Sequence, residues 1–383
     1  MRKSACFSLI WVLLAVGLSG CWESETIQDI NYITALGIDY EDGNYVVYTQ
    51  SMDFARLAKQ ESPKSSSEGS VLVGKAVGNT LELAITSLHR ASQMRIIFQH
   101  LTAIVLTERA FQADMHHILD AICRYYEIRY RSWVYGTREP MKELFSLRNP
   151  FNGSQRLSLL HEPKEPYKQR SMIPPIQLVQ FTKQLREPDQ TLLLPSLKIN
   201  QSNWSQGEQS VRQFEISGIY ALKNDKYKGW FSVSDMIGMR WMTPQTEATP
   251  LAIEEDGKEV GYLSMHEPKV KTSFRMADGR PSFRIHVKVK GELQEELTAI
   301  SEKEIKQKAQ EKIRQEIYET YRKGMKKQTD VYSVAHLWYR SDNHSWKQMK
   351  PQEREEAIRN LKVEDITVDV SLTHTGMTKL RTP

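Results

Sequence analysis

The sequence predicts a multi-domain α+β protein, with an N-terminal α/β half and a C-terminal half of antiparallel strands with a long helix. Strands and helices alternate between residues 32 and 135, which is typical of a sheet covered by helices. After residue 213 the pattern changes to paired apolar segments, followed by one long charged segment with a regular apolar stripe. At about 150 residues per domain, a chain of 383 residues has room for two or three domains.

The first half opens with two predicted strands, residues 32–39 and 45–49, which Asp42-Gly43 joins as a hairpin turn. The later elements follow from helical spacing of apolar residues and from short apolar runs. They are, in order, a helix from Asn79 with Glu82 as its capping-box partner, a strand at 101–106, a helix at 114–125, a strand at 128–135 and a helix at 174–186.

The second half is predicted to contain hairpins and one long helix. Two hairpins are expected, one from strands at 214–222 and 229–233 and one from strands at 261–276 and 282–290. Ser301 and Glu304 form a capping box that starts the long helix. Its apolar residues recur at every fourth position, which favours a helix lying on a sheet over a coiled coil of period 3.5. They are Ile305, Ala309, Ile313, Ile317, Tyr321 and Met325, and a final strand at 363–372 follows.

A polar stretch sets the main domain boundary. Residues 200–210 contain Gln, Ser, Asn and Gly and few apolar side chains, so we interpret them as the main linker. We therefore divide the chain into a cleaved segment at 1–20, an N-terminal α/β region at 21–199 with room for two subdomains, and a C-terminal α+β domain at 211–383.

The N-terminus has the pattern of a signal peptide. Arg2 and Lys3 precede an apolar run at 7–18, and small residues follow it. The run is shorter than the roughly 20 apolar residues that a spanning helix needs, and no later segment is long and apolar enough. A buried core strand is the competing interpretation of this run.

The cleavage site Leu18-Ser19-Gly20-Cys21 resembles the lipobox of bacterial lipoproteins. The resemblance implies that residues 1–20 are a lipoprotein signal peptide and that Cys21 becomes the first residue, carrying covalent diacylglyceryl and N-acyl lipid. Two acyl chains hold a protein stably on a membrane. The alternative is an ordinary signal peptide with a chance cysteine at the cut.

Charge and cysteine count exclude several classes. Removing Arg2 and Lys3 lowers the formal net charge from +5 to +3, which suits an anionic membrane surface and is too weak to indicate nucleic acid binding. The chain has three cysteines. Cys6 is removed with the signal peptide and the thiol of Cys21 carries the lipid, so Cys123 is left without a partner for an internal disulfide. Apolar neighbours predict that Cys123 is a buried, inert thiol.

We find no motif of an enzyme, metal site or cofactor site. The sequence lacks GxSxG, a P-loop, GxGxxG and HExxH. His116 and His117 are adjacent and so point to different faces of a helix, which is poor geometry for a metal. The sequence therefore predicts no catalytic residues, no metal ligands and no cofactor other than the lipid on Cys21.

Short motifs follow one another in a specific order along the mature chain. They are Gly20-Cys21-Trp22-Glu23, Ile27, residues 34–39, His100-Leu101, Glu127-Ile128-Arg129, Leu194-Pro195, Gly218, Lys226, Gly229-Trp230, Trp241, residues 291–295, Asp330-Val331-Tyr332, Trp346-Lys347 and Gly376. In their order and spacing they resemble the C subunit of spore germinant receptors, a lipoprotein family of endospore-forming bacteria. The chain departs from the family pattern at Ala335, where a glycine is expected nearby, and at Tyr125, where an acid is frequent.

The resemblance implies mixed α and β structure in about three subdomains, with Cys21 as the only functional residue that carries over. It implies a lipid-anchored subunit on the outer face of the spore inner membrane, partnered by two multi-pass subunits, an A-type subunit and a transporter-like B-type subunit. Two alternatives remain: a lipid-anchored solute-binding protein, which usually has two similar α/β lobes, and an extracytoplasmic enzyme, for which the catalytic residues are lacking.

Overall fold

The structure, a computed structural model, describes residues 29–52, 71–149, 155–277, 280–298 and 300–374. Cys21, the predicted signal peptide and Gly376 lie outside the described residues. Within them, a ten-stranded sheet, a four-stranded sheet and one small hairpin are joined by helices. The predicted α+β class is thereby confirmed. None of the described helices is both long and apolar enough to cross a membrane.

The larger sheet is built mainly from the first half of the chain. Its path is β12-β11-β8-β6-β5-β1-β2-β3, with β4 paired to β1 and β7 to β6. The first twelve strands are β1 (Ile30–Glu41), β2 (Asn44–Met52), β3 (Val71–Gly78), β4 (Arg95–Ile97), β5 (Ala103–Thr107), β6 (Trp133–Thr137), β7 (Ile176–Gln177), β8 (Thr191–Asn200), β9 (Ser205–Gln206), β10 (Gln209–Ser210), β11 (Gln213–Lys223) and β12 (Lys226–Ser232).

Helices cover both faces of this sheet, as expected for an α/β half. One face packs against α1, α2, α3 and α6, and the other packs against α4. Thr80 caps α1 one residue after the predicted start, and Asp114 caps α3 by accepting from the amides of His116 and His117. The helices are α1 (Leu81–Ala91), α2 (Glu108–Gln112), α3 (Met115–Arg124), α4 (Met141–Phe145), α5 (Lys164–Gln169) and α6 (Leu178–Arg186).

Four central strands, β1, β5, β6 and β8, run parallel, and the short β4 is parallel to β1. Their N-terminal ends therefore lie at one edge of the sheet, which we call the N-terminal edge, and their carboxyl ends lie at the opposite, carboxyl edge. Strands of this kind need crossover connections, which α1 to α6 and the segments between them supply.

The division between the sheets falls later than the predicted linker. Residues 200–210 form the end of β8 and the exposed hairpin of β9 and β10, and β11 then pairs with β8 from Gln213 opposite Asn200 to Lys223 opposite Thr191. Residues 213–232, predicted to begin the C-terminal domain, thus extend the first sheet. A hairpin loop and a domain linker have the same polar composition, so composition alone does not separate them.

The second half forms the four-stranded sheet in the order β13-β14-β15-β16. The prediction that it is antiparallel is wrong for β16, which runs parallel to β15 because four helices carry the chain back across the sheet. The elements are α7 (Met239–Met242), β13 (Thr249–Glu255), β14 (Lys258–Ala277), β15 (Arg280–Glu296), α8 (Glu302–Lys326), α9 (Val334–Ser341), α10 (Asn343–Gln348), α11 (Pro351–Arg359) and β16 (Lys362–His374).

The long helix α8 follows the prediction closely. Ser301 and Glu304 form both halves of the capping box. The stripe from Ile305 to Tyr321 is buried, and the helix packs on β13 and β16. Burial of one apolar stripe against a sheet, with charges on the other faces, explains why this helix does not form a coiled coil.

A buried ion pair attaches α7 to α8. The Nη2 atom of Arg240 lies 2.8 Å from both carboxylate oxygens of Glu316, and the two side chains are 5% and 11% exposed. Trp241 donates from Nε1 to Glu316 over 2.7 Å, and Arg240 also donates to Thr249 over 3.1 Å. The charges are thus paired and hydrogen-bonded, which a buried ion pair requires.

We predict that Glu316→Gln destabilises the protein by about 3 kcal/mol or more, because it leaves the buried guanidinium of Arg240 without its counter-charge. The exposed pair of Glu311 and Arg314 supplies the control, and Glu311→Gln is expected to change stability by less than about 0.5 kcal/mol. Urea unfolding of the two variants measures both. Equal midpoints would show that the buried pair contributes no more than a surface pair.

Candidate functional site

The predicted site residue, Cys21, lies outside the described residues, so its lipidation stays a prediction. The structure does show where the chain enters the fold. The first strand, β1, starts at Ile30, which pairs with Arg95 of β4 at the N-terminal edge.

A groove of about 850 Å³ lies between the two halves, and we call it the interdomain groove. Interfaces between domains are common positions for binding sites. Its lining from the first half includes Trp133, Lys164, Tyr167, Pro175, Gln177, Gln180, Gln184 and Thr191, and from the second half Met239, Met242, Thr243, Val270, Thr272, Tyr332 and Ser333.

Contacts on both sides hold the walls of the groove. Lys164 from α5 places its Nζ atom 5.6 Å from the centroid of the Trp133 ring. Tyr332 donates its hydroxyl to the carbonyl of Ile317 over 2.9 Å. Ser333, in left-handed backbone conformation with φ of 52°, accepts from the amide of Thr191 over 3.1 Å, across the two halves.

The residues that line the interdomain groove can contact a ligand, but they include no nucleophile beside a general base. Its polar groups are mainly amides and hydroxyls, and its apolar groups are aromatic rings, prolines and the adaptable side chains of Met239 and Met242. No cluster of three metal-ligating side chains occurs anywhere in the described ranges. The groove therefore suits an apolar or amide-bearing ligand segment.

A buried polar network positions the segment that leads into α5. The Nδ1 atom of His161 lies 2.6 Å from Oγ1 of Thr102, and Nε2 lies 2.9 Å from Oε1 of Gln50. Gln50 in turn donates to the carbonyl of Phe145 over 2.8 Å. Burial, together with a smaller effect of the neighbouring charge of Arg156, lowers the pKa of His161 to about 3, so the ring is neutral at physiological pH.

The carboxyl edge carries a charged cleft of about 540 Å³. Arg109 donates from Nε to Asp39 over 3.0 Å and from Nη2 to Glu41 over 2.6 Å. Burial opposes ionisation of Asp39, but hydrogen bonds from Arg109 and Thr107 outweigh it and lower the pKa of the carboxyl. A carboxylate held ionised in this way is a poor general acid or base at neutral pH.

A second carboxylate in the same cleft, that of Glu108, is also paired with an arginine. Glu108 accepts from Arg138 and from the hydroxyl of Tyr227, and the hydrogen bond from Arg138 lowers the pKa of Glu108. The guanidinium of Arg138 stacks over the ring of Trp230 at 4.7 Å. These contacts tie α2 to β12, so the cleft stabilises the sheet and does not resemble a catalytic site.

The residues singled out by family resemblance have structural roles. Glu127 is buried and accepts from the amide of Phe98 over 2.6 Å, and Asp330 is buried and accepts from the amide of Ala335 over 2.7 Å. A side chain on Gly218 would meet the carbonyl oxygen of Phe231 at 2.1 Å. These motifs specify the packing of the fold, and the structure does not gather them into one site.

The groove residues were missed by sequence reasoning because no local pattern marks them. Tyr167, Met239 and Tyr332 come from three elements separated by long stretches of chain, and only tertiary packing brings them together. Cys123, predicted to be buried, is partly buried, with its sulfur 4.0 Å from Oγ1 of Thr182. His116 is exposed, and the Nδ1 atom of His117 lies 2.8 Å from Oδ2 of Asp114.

Comparison with known proteins finds two family profiles in order along the chain. "Spore germination protein N-terminal domain" matches residues 23–199, and "Spore germination B3/ GerAC like, C-terminal" matches residues 217–376. The chain is 23% identical to spore germination protein A3 of Bacillus subtilis (strain 168) over 286 residues, which are 73% of this chain and 71% of that protein. It is 20% identical to spore germination protein KC of the same organism over 403 residues, covering 98% and 97%.

A solved structure has the same fold. The crystal structure of the GerBC protein superposes with a TM-score of 0.56 over 88% of this chain and 96% of that chain, at 15% sequence identity. At this identity the match supports the fold alone.

We predict that stability falls as the pH is lowered from about 6.5 towards 4.5, in part through His161. Its pKa is about 3 in the folded state and about 6.5 in an unfolded chain, so the unfolded state takes up a proton that the folded state excludes. Uptake of this one proton lowers the free energy of unfolding by about 2 kcal/mol over this pH range. Unfolding free energies of His161→Gln should show a shallower pH slope than the wild type, whereas His116→Gln at an exposed site should not. An unchanged slope in His161→Gln would contradict the assignment.

Proposed function

Because this chain belongs to the GerAC family of spore germination proteins, we propose that it is a lipid-anchored subunit of a nutrient germinant receptor in bacterial spores. It acts through assembly with two integral membrane subunits, an A-type subunit and a transporter-like B-type subunit. Its place is the outer face of the spore inner membrane.

One observation carries the proposal: two germination profiles, in order, span nearly all of the chain from residue 23 to residue 376. The resemblance predicted from scattered motifs is thereby confirmed as family membership. The competing solute-binding class usually has two similar lobes, whereas the described residues of this chain form a ten-stranded sheet and a four-stranded sheet of different topology, with one small hairpin. That difference favours the receptor subunit.

The proposed role is binding and not chemistry. In the charged cleft, Asp39, Glu41 and Glu108 are paired with arginines, and the groove offers mainly amides, hydroxyls and apolar side chains. A protein held on the membrane by a lipid on Cys21 has a high effective concentration beside membrane partners. A weak interface is then sufficient for assembly.

We predict that Cys21→Ala abolishes incorporation of a clickable fatty acid into the protein, because the thiol of Cys21 is the proposed attachment point. Cys123→Ala is the matched control, since Cys123 lies within the fold, and it should label as well as the wild type. Metabolic labelling followed by gel fluorescence measures both. Continued labelling of Cys21→Ala would overturn the lipid anchor.

We also predict that deletion of the gene abolishes the germination response to one set of nutrients, in a strain that carries only this receptor. Germination triggered by exogenous dipicolinate should be preserved, since that trigger bypasses nutrient sensing. Release of dipicolinate from single spores is the measurement. A normal nutrient response in the deletion strain would remove the receptor-subunit proposal and favour the solute-binding alternative.

A further inference from the structure

We propose that the N-terminal edge of the first sheet is a membrane-docking face, on which the loop at 125–132 rests on the anionic headgroups of the bilayer. Tyr126 and Tyr130 lie among the headgroups, and Arg129 and Arg131 contact the phosphates. This proposal rests on the proposed function, because the lipid on Cys21 brings the chain to the membrane, but it adds a second, non-covalent contact that sets orientation.

The loop is held at this edge by hydrogen bonds to its neighbours. The amide of Phe98 donates to Glu127 over 2.6 Å, and Ser132 donates to the carbonyl of Leu101 over 2.9 Å. The amide of Val179 donates to the carbonyl of Tyr130 over 3.0 Å. Both flanks of the loop are thus fixed beside the start of the parallel strands.

The tether selects this edge over the opposite one. Ile30, the first residue of β1, lies nine positions after Cys21, and a fully extended chain of that length reaches about 30 Å. The twelve residues of β1 place the carboxyl edge about 40 Å further along the strand. A lipid on Cys21 therefore keeps the N-terminal edge close to the bilayer in every arrangement of the spacer.

The exposed side chains at this edge match a membrane interface. Tyr126 is 86% exposed, Tyr130 is 47% exposed and, beside them, Met94 and Val179 are 42% and 47% exposed. Tyrosine is enriched where proteins meet headgroups, because its ring is apolar and its hydroxyl is polar. Two exposed tyrosines and two exposed apolar side chains therefore lie at this edge.

The exposed charges of the loop are basic and can contact anionic headgroups. Arg129 and Arg131 are exposed, and neither has an ion-pair partner among the residues that the structure describes. The carboxylate nearest to them in sequence, Glu127, is buried and accepts from Phe98 and from the hydroxyl of Tyr126 over 3.2 Å. The loop thus presents positive charge to an anionic surface.

The acids of the spacer limit this attraction. Glu23, Glu25 and Asp29 lie between the lipid and β1 and are repelled by anionic headgroups. These three acids outnumber the two loop arginines, so the exposed tyrosines must contribute to docking. The expected result is a face that orients an already anchored protein and does not recruit it alone.

The test uses the full-length, lipid-bearing protein reconstituted into vesicles of phosphatidylcholine with 30% phosphatidylglycerol, on a Cys123→Ala background. A nitroxide is placed by Tyr126→Cys, and a matched control label by Gln112→Cys, at the exposed end of α2 near the carboxyl edge. Accessibility to oxygen and to a water-soluble nickel complex reports the depth of each label. We expect the label at 126 to lie in the headgroup layer and the label at 112 to remain aqueous.

Charge variants test the arginines separately. Arg129→Gln with Arg131→Gln should lower the ratio of docked to undocked protein about fivefold for each arginine removed. The exposed pair Lys258→Gln with Lys271→Gln, which removes the same charge from the second sheet, should leave that ratio unchanged. Equal effects of the two double variants would overturn the role of the loop arginines.

Vesicle flotation, recorded in the same samples, separates this proposal from the lipid anchor. Protein that floats with the vesicles while its label at 126 stays aqueous would overturn the docking face and leave the anchor intact. Protein that does not float would overturn both. A label that is aqueous in vesicles but protected in native membranes would identify a protein partner in place of the bilayer.

Discussion

The second half of the molecule depends on the buried pair of Arg240 and Glu316. Desolvated charges are stable only when they are paired and hydrogen-bonded, so α7, β13 and α8 must meet at one point. Gly238 enforces the approach, because its amide donates to Thr320 over 2.9 Å and a side chain there would lie 2.5 Å from the carbonyl oxygen of Glu316. The four-stranded sheet is thereby held on α8.

The same region also joins the two halves. The amide of Ser171 donates to the carbonyl of Ala248 over 2.7 Å, close to the buried pair, and the amide of Thr191 donates to Ser333 over 3.1 Å. Contacts of this kind on both sides make the interdomain groove a preformed surface. A partner that binds a preformed surface does not lose affinity to ordering it, which suits a protein proposed to act by assembly.

The two ends of the first sheet have different properties. At the carboxyl edge, Asp39 and Glu108 are paired with arginines, which closes the charged cleft to acid–base chemistry. At the N-terminal edge, Tyr126 and Arg129 are exposed, and the chain enters the fold beside them. The carboxyl edge therefore stabilises the sheet, and the N-terminal edge presents exposed side chains for contact with the proposed membrane surface.

Local patterns in the sequence were sufficient for the elements whose signals are short-range. The capping box and four-residue stripe of α8 and the hairpin turn at Asp42-Gly43 each depend on neighbours in the chain. The pairing of β11 with β8, the parallel β16, the partner of Arg240 and the lining of the groove depended on the tertiary structure alone. They join residues far apart in the chain, and only burial in the folded state decides which distant partners meet.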